Sequence, residues 1–113
     1  MVDSESDSES ISESLAGIDR IIHEPARLNI MAHLYVIESA DFLFLMRQTG
    51  LTFGNLSSHI SKLEVAGYVD VKKEFVRKKP HTMLTLTDEG RTAFHKYEED
   101  LRKVLGDLSQ RTG

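Results

Sequence analysis

Apolar residues recur along this chain with two periods, and the change of period divides it. From Ile11 to Leu63 they return every three or four residues, the mark of helices that bury one stripe. Ile11, Leu15, Ile18 and Ile22 predict a first helix, weakened at Gly17. It should break near His23-Glu24, because Pro25 is tolerated in the first turn of a helix but not inside one. A second helix then runs to about Ile37, with Leu28, Met31 and Tyr35 on one face and Ile30, Leu34 and Ile37 on another, as in a helix packed on both sides. Ser39 or Asp41 caps a third helix with the stripe Phe42, Leu45, Met46 and Thr49, and Gly50 ends it. Leu51 plugs the turn. Thr52 caps a fourth helix over 53–66, in which Leu56, Ile60 and Leu63 share a stripe and Gly67 closes the C-terminal end.

Past Gly67 the period becomes two. Tyr68 to Val76 and His81 to Leu86 alternate apolar with polar residues and predict two strands around the basic tip Arg77-Lys78-Lys79-Pro80. Thr87 caps a last helix over 88–108, with Asp88 and Glu89 in the turn where acids suit the helix dipole. Along it Phe94, Tyr97, Leu101, Val104 and Leu108 recur in a coiled-coil-like seam. Three helices and a hairpin already supply a core, so this seam is read as a homodimer interface, together with Ile11, Leu15 and Ile18 of the first helix; the alternatives are that it pairs with the Ile11–Ile22 helix or packs on its own domain. The fold class expected is mainly α with a small β-hairpin: a winged helix-turn-helix with added N- and C-terminal helices.

Composition refines the picture. A chain of 113 residues suits one domain, and 40% hydrophobic with 28% charged residues is ordinary for a globular protein. There is no cysteine for disulfides or thiolate metal sites, no apolar run long enough to span a membrane, and no basic-then-apolar leader pattern. A cytoplasmic protein without membrane association is the expectation. Residues 1–10, alternating acid and serine, are expected to be a disordered acidic tail, 11–109 the folded domain, and 110–113 a disordered end. The net charge of −4 looks unsuited to a polyanion until it is divided. Asp3, Glu5, Asp7, Glu9 and Glu13 carry no base among them, whereas residues 53–82 hold six Lys and Arg against three acids. His23, His33, His59, His81 and His95 form no metal-binding spacing, no glycine-rich phosphate loop occurs, and no catalytic set converges. No enzyme activity, metal or cofactor is expected.

The run Leu-Thr-Phe-Gly-Asn-Leu-Ser-Ser-His-Ile-Ser-Lys-Leu-Glu-Val-Ala-Gly-Tyr-Val, followed by the Arg77-Lys78-Lys79 hairpin and by Leu-Thr-Asp-Glu-Gly-Arg, resembles the winged-helix transcriptional regulators of bacteria and archaea. The broad relatives are MarR- and ArsR-like, and His23-Glu24-Pro25-Ala26-Arg27-Leu28 resembles the opening motif of the small single-domain set. The resemblance implies a homodimeric double-stranded-DNA-binding regulator, with the helix 53–66 in the major groove and the wing 76–80 on backbone or minor groove. The residues it implies at DNA are Thr52, Gly54, Asn55, Ser57, Ser58, Ser61, Lys62, Lys72, Arg77, Lys78 and Lys79. Ser58 stands where broader relatives often carry arginine, so this helix has few long donors for guanine. The sequence leaves room for a small-molecule effector pocket at the dimer interface and identifies no ligand for it. The alternative function is a winged-helix protein-interaction module that does not bind DNA.

Overall fold

The computed structural model describes residues 4–112, and the side-chain surroundings of 8–110. Among these residues the order is α1 (Ser4–Ala16), α2 (Pro25–Ile37), β1 (Ser39–Asp41), α3 (Phe42–Thr49), α4 (Phe53–Val65), β2 (Val69–Val76), β3 (Lys79–Leu86) and α5 (Asp88–Thr112). The mainly helical fold with a basic hairpin is present, and the hairpin gains a third strand. The antiparallel sheet has the order β1-β3-β2.

That third strand follows from how α2 ends. Glu38 takes a left-handed φ of 68°, returns its N–H to the Leu34 carbonyl, and accepts the Leu86 N–H on its own carbonyl at 2.8 Å. The chain is thereby laid beside β3, where Ser39 hydrogen-bonds Thr85 across the strands at 2.9 Å. Asp41 caps α3, accepting the Leu43 N–H at 2.7 Å, so of the two expected caps it is the aspartate that serves. Gly50 then supplies the left-handed C-cap, at φ 72°, that a side chain would disfavour.

The expected helix from Ile11 to Ile22 is corrected: α1 stops at Ala16. Asp19 accepts the backbone N–H groups of Ile21 and Ile22, an Asx-type turn that competes with helix just after Gly17. Ile18 and Ile22 are buried from this loop, not from a helical stripe. The expected disordered tail is also corrected in part. Residues 4–10 form the opening turns of α1, and residues 1–3 lie outside the described residues. A helix anchored further along propagates at little cost. At the other end α5 continues to Thr112, past the expected stop, and residue 113 lies outside the described residues.

The core gathers Ile22 from the loop, Ile30, Met31 and Leu34 from α2, Leu45 from α3, Leu56 and Leu63 from α4, and Val69 and Leu84 from the sheet, all nearly inaccessible. α1 runs antiparallel along α5, with Ile11 and Ser14 near Val104 and Asp107, and Gly17 near Lys96 and Asp100. The molecule measures 69 Å along its long axis.

The start of α5 is seated against the sheet by a close approach. Thr87 caps it, accepting from the Gly90 N–H at 2.8 Å while donating to the Gly67 carbonyl at 2.6 Å. A Cβ at Gly90 would stand 2.2 Å from the Tyr68 carbonyl oxygen and 2.9 Å from Leu86 Cδ1. Glycine to alanine inside an unobstructed helix stabilises by about 0.5–1 kcal/mol, but here α5 must lift off. Gly90→Ala is expected to destabilise by about 1–3 kcal/mol in urea unfolding, and a gain in stability would contradict this packing.

Candidate nucleic-acid interface

Helix α4 is held by one face and offers the other. Thr52 accepts the Asn55 N–H at 3.2 Å as the N-cap, and Gly67, at φ 83°, turns the chain away after Ala66. Leu56, Ile60 and Leu63 are buried against the rest of the core, each worth about 1.5–3 kcal/mol by area. Thr52, Gly54, Asn55, Ser57, Ser58, Ser61 and Lys62 are all exposed, and no carboxylate lies between Thr52 and Lys62. The structure thus brings together every expected site residue of the helix. Nothing lies within 4 Å of a Cβ built on Gly54, so another molecule can approach the backbone there. Ser61 donates its hydroxyl to the Ser57 carbonyl at 3.1 Å, which leaves its oxygen as an acceptor.

A buried cation fixes this helix to the start of α2, a contact that the spacing of residues did not reveal. Arg27 is 9% exposed. Its Nε donates to the Ile21 carbonyl at 2.5 Å, and its guanidinium reaches the Arg20 carbonyl at 3.5 Å and His59 Nδ1, on α4, at 3.2 Å. Glu24 lies 3.9 Å from Arg27 and 3.6 Å from His59. The Arg27 backbone N–H that Glu24 accepts as N-cap holds its carboxyl below the usual value, with His59 and Arg27 adding to the effect against a desolvation penalty. His59 therefore meets charged partners beside the apolar stripe. Nearby, the Tyr68 hydroxyl donates to Asp19 at 2.5 Å, and burial with that carboxylate raises the phenol to about 12.

The wing closes on two residues. Val76 pairs with Lys79, so Arg77 and Lys78 alone make the turn, with φ 54° and 66°. Two positive φ values define the type I′ hairpin, which matches strand twist but normally selects Asn-Gly. Strand β3 begins at Lys79, two residues before the expected His81, and takes in Pro80. In a two-residue hairpin the closing pair exchanges hydrogen bonds, so the next pair, Phe75 and Pro80, does not, and proline fits there without losing a bond to β2. Two pairs from the closing pair of the wing, His81 Nδ1 donates to Asp41 at 2.5 Å, tying β3 to the N-terminus of α3. That hydrogen bond, helped by the Leu43 and Phe44 N–H groups, holds the Asp41 carboxyl below its usual value against the opposing effect of burial.

Between α4 and the sheet lies a groove of about 290 Å³, lined by Phe53, Ser57, Ser61 and Glu64 on the helix side and Val71, Lys73 and Thr82 on the strand side. Strand alternation puts Lys73 in this groove and Lys72, which pairs with Met83, on the other face of the sheet. Of the expected basic residues, Arg77, Lys78 and Lys79 sit at the exposed tip, while Lys72 is exposed but turned away from α4. Phe53, 64% exposed with its ring 5.0 Å from that of Phe42, marks the N-terminal edge of the groove.

The expected dimer residues divide. Ile18, Tyr97 and Val104 are buried in the chain's own core, and Tyr97 lies 2.9 Å from His23 Nδ1 through its hydroxyl. Ile11, Phe94, Leu101 and Leu108 are half-buried, and Leu15 is exposed. On the outer side of α5 an open apolar groove is formed by Leu28, Phe94, Leu101 and Leu105, the last 56% exposed and outside the expected seam. Among the described residues no cluster of potential metal ligands occurs, and no helix is long and apolar enough to cross a membrane.

This architecture has known counterparts. An uncharacterised protein of Methanocaldococcus jannaschii is 37% identical over 78 residues, which are 69% of this chain and 85% of the relative. A transcriptional regulator homologue from Pyrococcus horikoshii OT3 superposes with a TM-score of 0.78 at 32% identity, covering 88% of this chain and 97% of the other. A proposed transcriptional regulator of the MarR family from Enterococcus faecalis V583 shares the fold, with a TM-score of 0.63 at 20% identity over 99% and 94% of the two chains. The sequence model described as a winged helix DNA-binding domain matches residues 26–105, from the first turn of α2 through most of α5, and the chain belongs to that family.

Proposed function

We propose that the protein is a homodimeric regulator of transcription that reads double-stranded DNA, with α4 in the major groove and the wing on the backbone or in the adjacent minor groove. The observation that carries this reading is the acid-free exposed face of α4 from Thr52 to Lys62, flanked by a wing whose turn is built of Arg77 and Lys78. Non-glycine residues in a left-handed turn cost about 1 kcal/mol or more each. Charge at the tip is thus kept where Asn-Gly would be more stable. Asn55, Ser57, Ser58 and Lys62 are the candidates for base-edge contacts, with Thr52, Gly54 and Ser61 allowing close approach to the backbone. Lys73, Arg77, Lys78 and Lys79 neutralise phosphate, and Lys72 adds to the field from the far face of the wing.

The short donors on α4 make phosphate contacts the main source of affinity. A dimer making six to ten of them should lose on the order of 10³–10⁵ in affinity between 50 and 200 mM salt. Changing Arg77, Lys78 and Lys79 together to Ala is expected to weaken duplex binding in a fluorescence-anisotropy titration. The plot of log affinity against log salt should become shallower by about 0.9 for each phosphate no longer neutralised. An unchanged affinity and slope would refute the reading.

In this reading the second copy sits on the outer groove of α5. Its lining of Leu28, Phe94, Leu101 and Leu105 is apolar, and Leu105 is more than half exposed, so it is available to a partner without leaving the chain's own core. Leu105→Asp is expected to convert a sedimenting dimer into a folded monomer with an unchanged helical circular-dichroism spectrum. A variant that remains dimeric would remove this groove from the interface.

A further inference from the structure

We infer that Phe75 and Pro80 form an apolar wedge on the DNA-facing side of the wing that packs against the sugar walls of the minor groove, supplying affinity that salt does not screen. The inference rests on the duplex-DNA reading above and adds to it a contact of a different physical kind. Phe75 is 78% exposed. It lies on the same sheet face as Val71 and Lys73, which line the groove beside Ser57 and Ser61 of α4. Further toward the tip that face continues beyond the helix, so Phe75 leaves the shelter of α4 while staying on its side. Its cross-strand neighbour is Pro80, and in a pair without hydrogen bonds the two side chains come closest. A flat ring and a pyrrolidine thus make one apolar ridge directly below the Arg77-Lys78 turn.

The surroundings select a polyanion as the occupant. On the Phe75 face the neighbours along the two strands are Lys73, Thr82 and Pro80, with no acid among them, and the turn above carries Arg77 and Lys78. Glu74, the one carboxylate between Lys72 and Thr82, lies on the opposite face across from His81. A protein-docking surface tends to lose charge at its centre, whereas here the aromatic lies between Lys73 and the Arg77-Lys78 turn, with Glu64 of α4 across the groove beside Lys73. Deoxyribose offers an apolar surface between phosphates, and apolar side chains reaching into the minor groove beside Arg or Lys are a known mode of duplex recognition.

Phe75 is exposed in the free protein, so replacing it opens no cavity and does not threaten the fold. Phe75→Ala is expected to weaken binding to a mixed-sequence duplex by about tenfold at fixed salt. The slope of log affinity against log salt should stay as in the unaltered protein, and Phe75→Leu should restore most of the affinity. Lys78→Ala, measured alongside, should instead lower the slope by about 0.9. If Phe75→Ala binds duplex as the unaltered protein does while Lys78→Ala loses slope, the wedge is overturned and the DNA reading stands. If Phe75→Ala changes the slope itself, the wedge is overturned because the residue acts through the charges. If neither variant changes duplex binding, the DNA reading falls and the wedge with it.

Discussion

A helix that offers one face to another molecule has only its other face with which to stay in place. In α4 that task falls to three side chains, Leu56, Ile60 and Leu63, and to one buried cation beside them. Arg27 reaches two loop carbonyls and His59 from a single position, and so joins the start of α2, the loop before it and α4. A guanidinium suits this junction because its donors diverge in a fixed plane and it does not lose its charge. The carbonyls and Glu24 supply the compensation that a buried charge requires. The slim exposed face of the helix depends on this arrangement. With its hydrophobic stripe and its clamp on the inner side, α4 can leave glycine, serine and asparagine outside.

The wing is anchored by a different principle. It is tied twice to the α3 side, through the β1 pairing and, closer to the tip, through the His81–Asp41 hydrogen bond, while the turn itself holds Arg77 and Lys78 in left-handed conformations. The sheet thereby fixes where the tip stands relative to α4, and the tip carries charge in place of the residues that would close the turn most easily. Between the two elements the Lys73 groove continues the same surface. Distribution of charge matters more than its sum here: a chain that is acidic overall presents a coherent basic edge.

Much of this was legible because it is local. The caps at Thr52 and Thr87, the stop at Gly50, the stripe of α4 and the basic hairpin are each set by neighbours within a few residues, and the structure shows all of them. What sequence spacing missed depends mostly on contacts across the chain, the local Asx turn at Asp19 apart. The Asx turn at Asp19 broke a helical pattern that Ile18 and Ile22 seemed to continue. Strand β1 is three residues long and exists only because Glu38 turns it onto β3. The period of α5 gives a stripe but not its partner, and so Tyr97 and Val104, read as interface, are spent on the chain's own core while Leu105 stands outside. Lys72 and Lys73 are adjacent in sequence, and only the strand register puts the second one beside α4.

On the function proposed above, α4 and the wing act together as one surface for duplex DNA. Backbone amide NMR shifts, followed as a mixed-sequence duplex is added at low salt, test it most directly. The largest changes are expected in residues 52–62 and 72–82, with small changes along α1 and the outer side of α5. Changes confined to the α5 groove, or none in α4 and the wing, would contradict it.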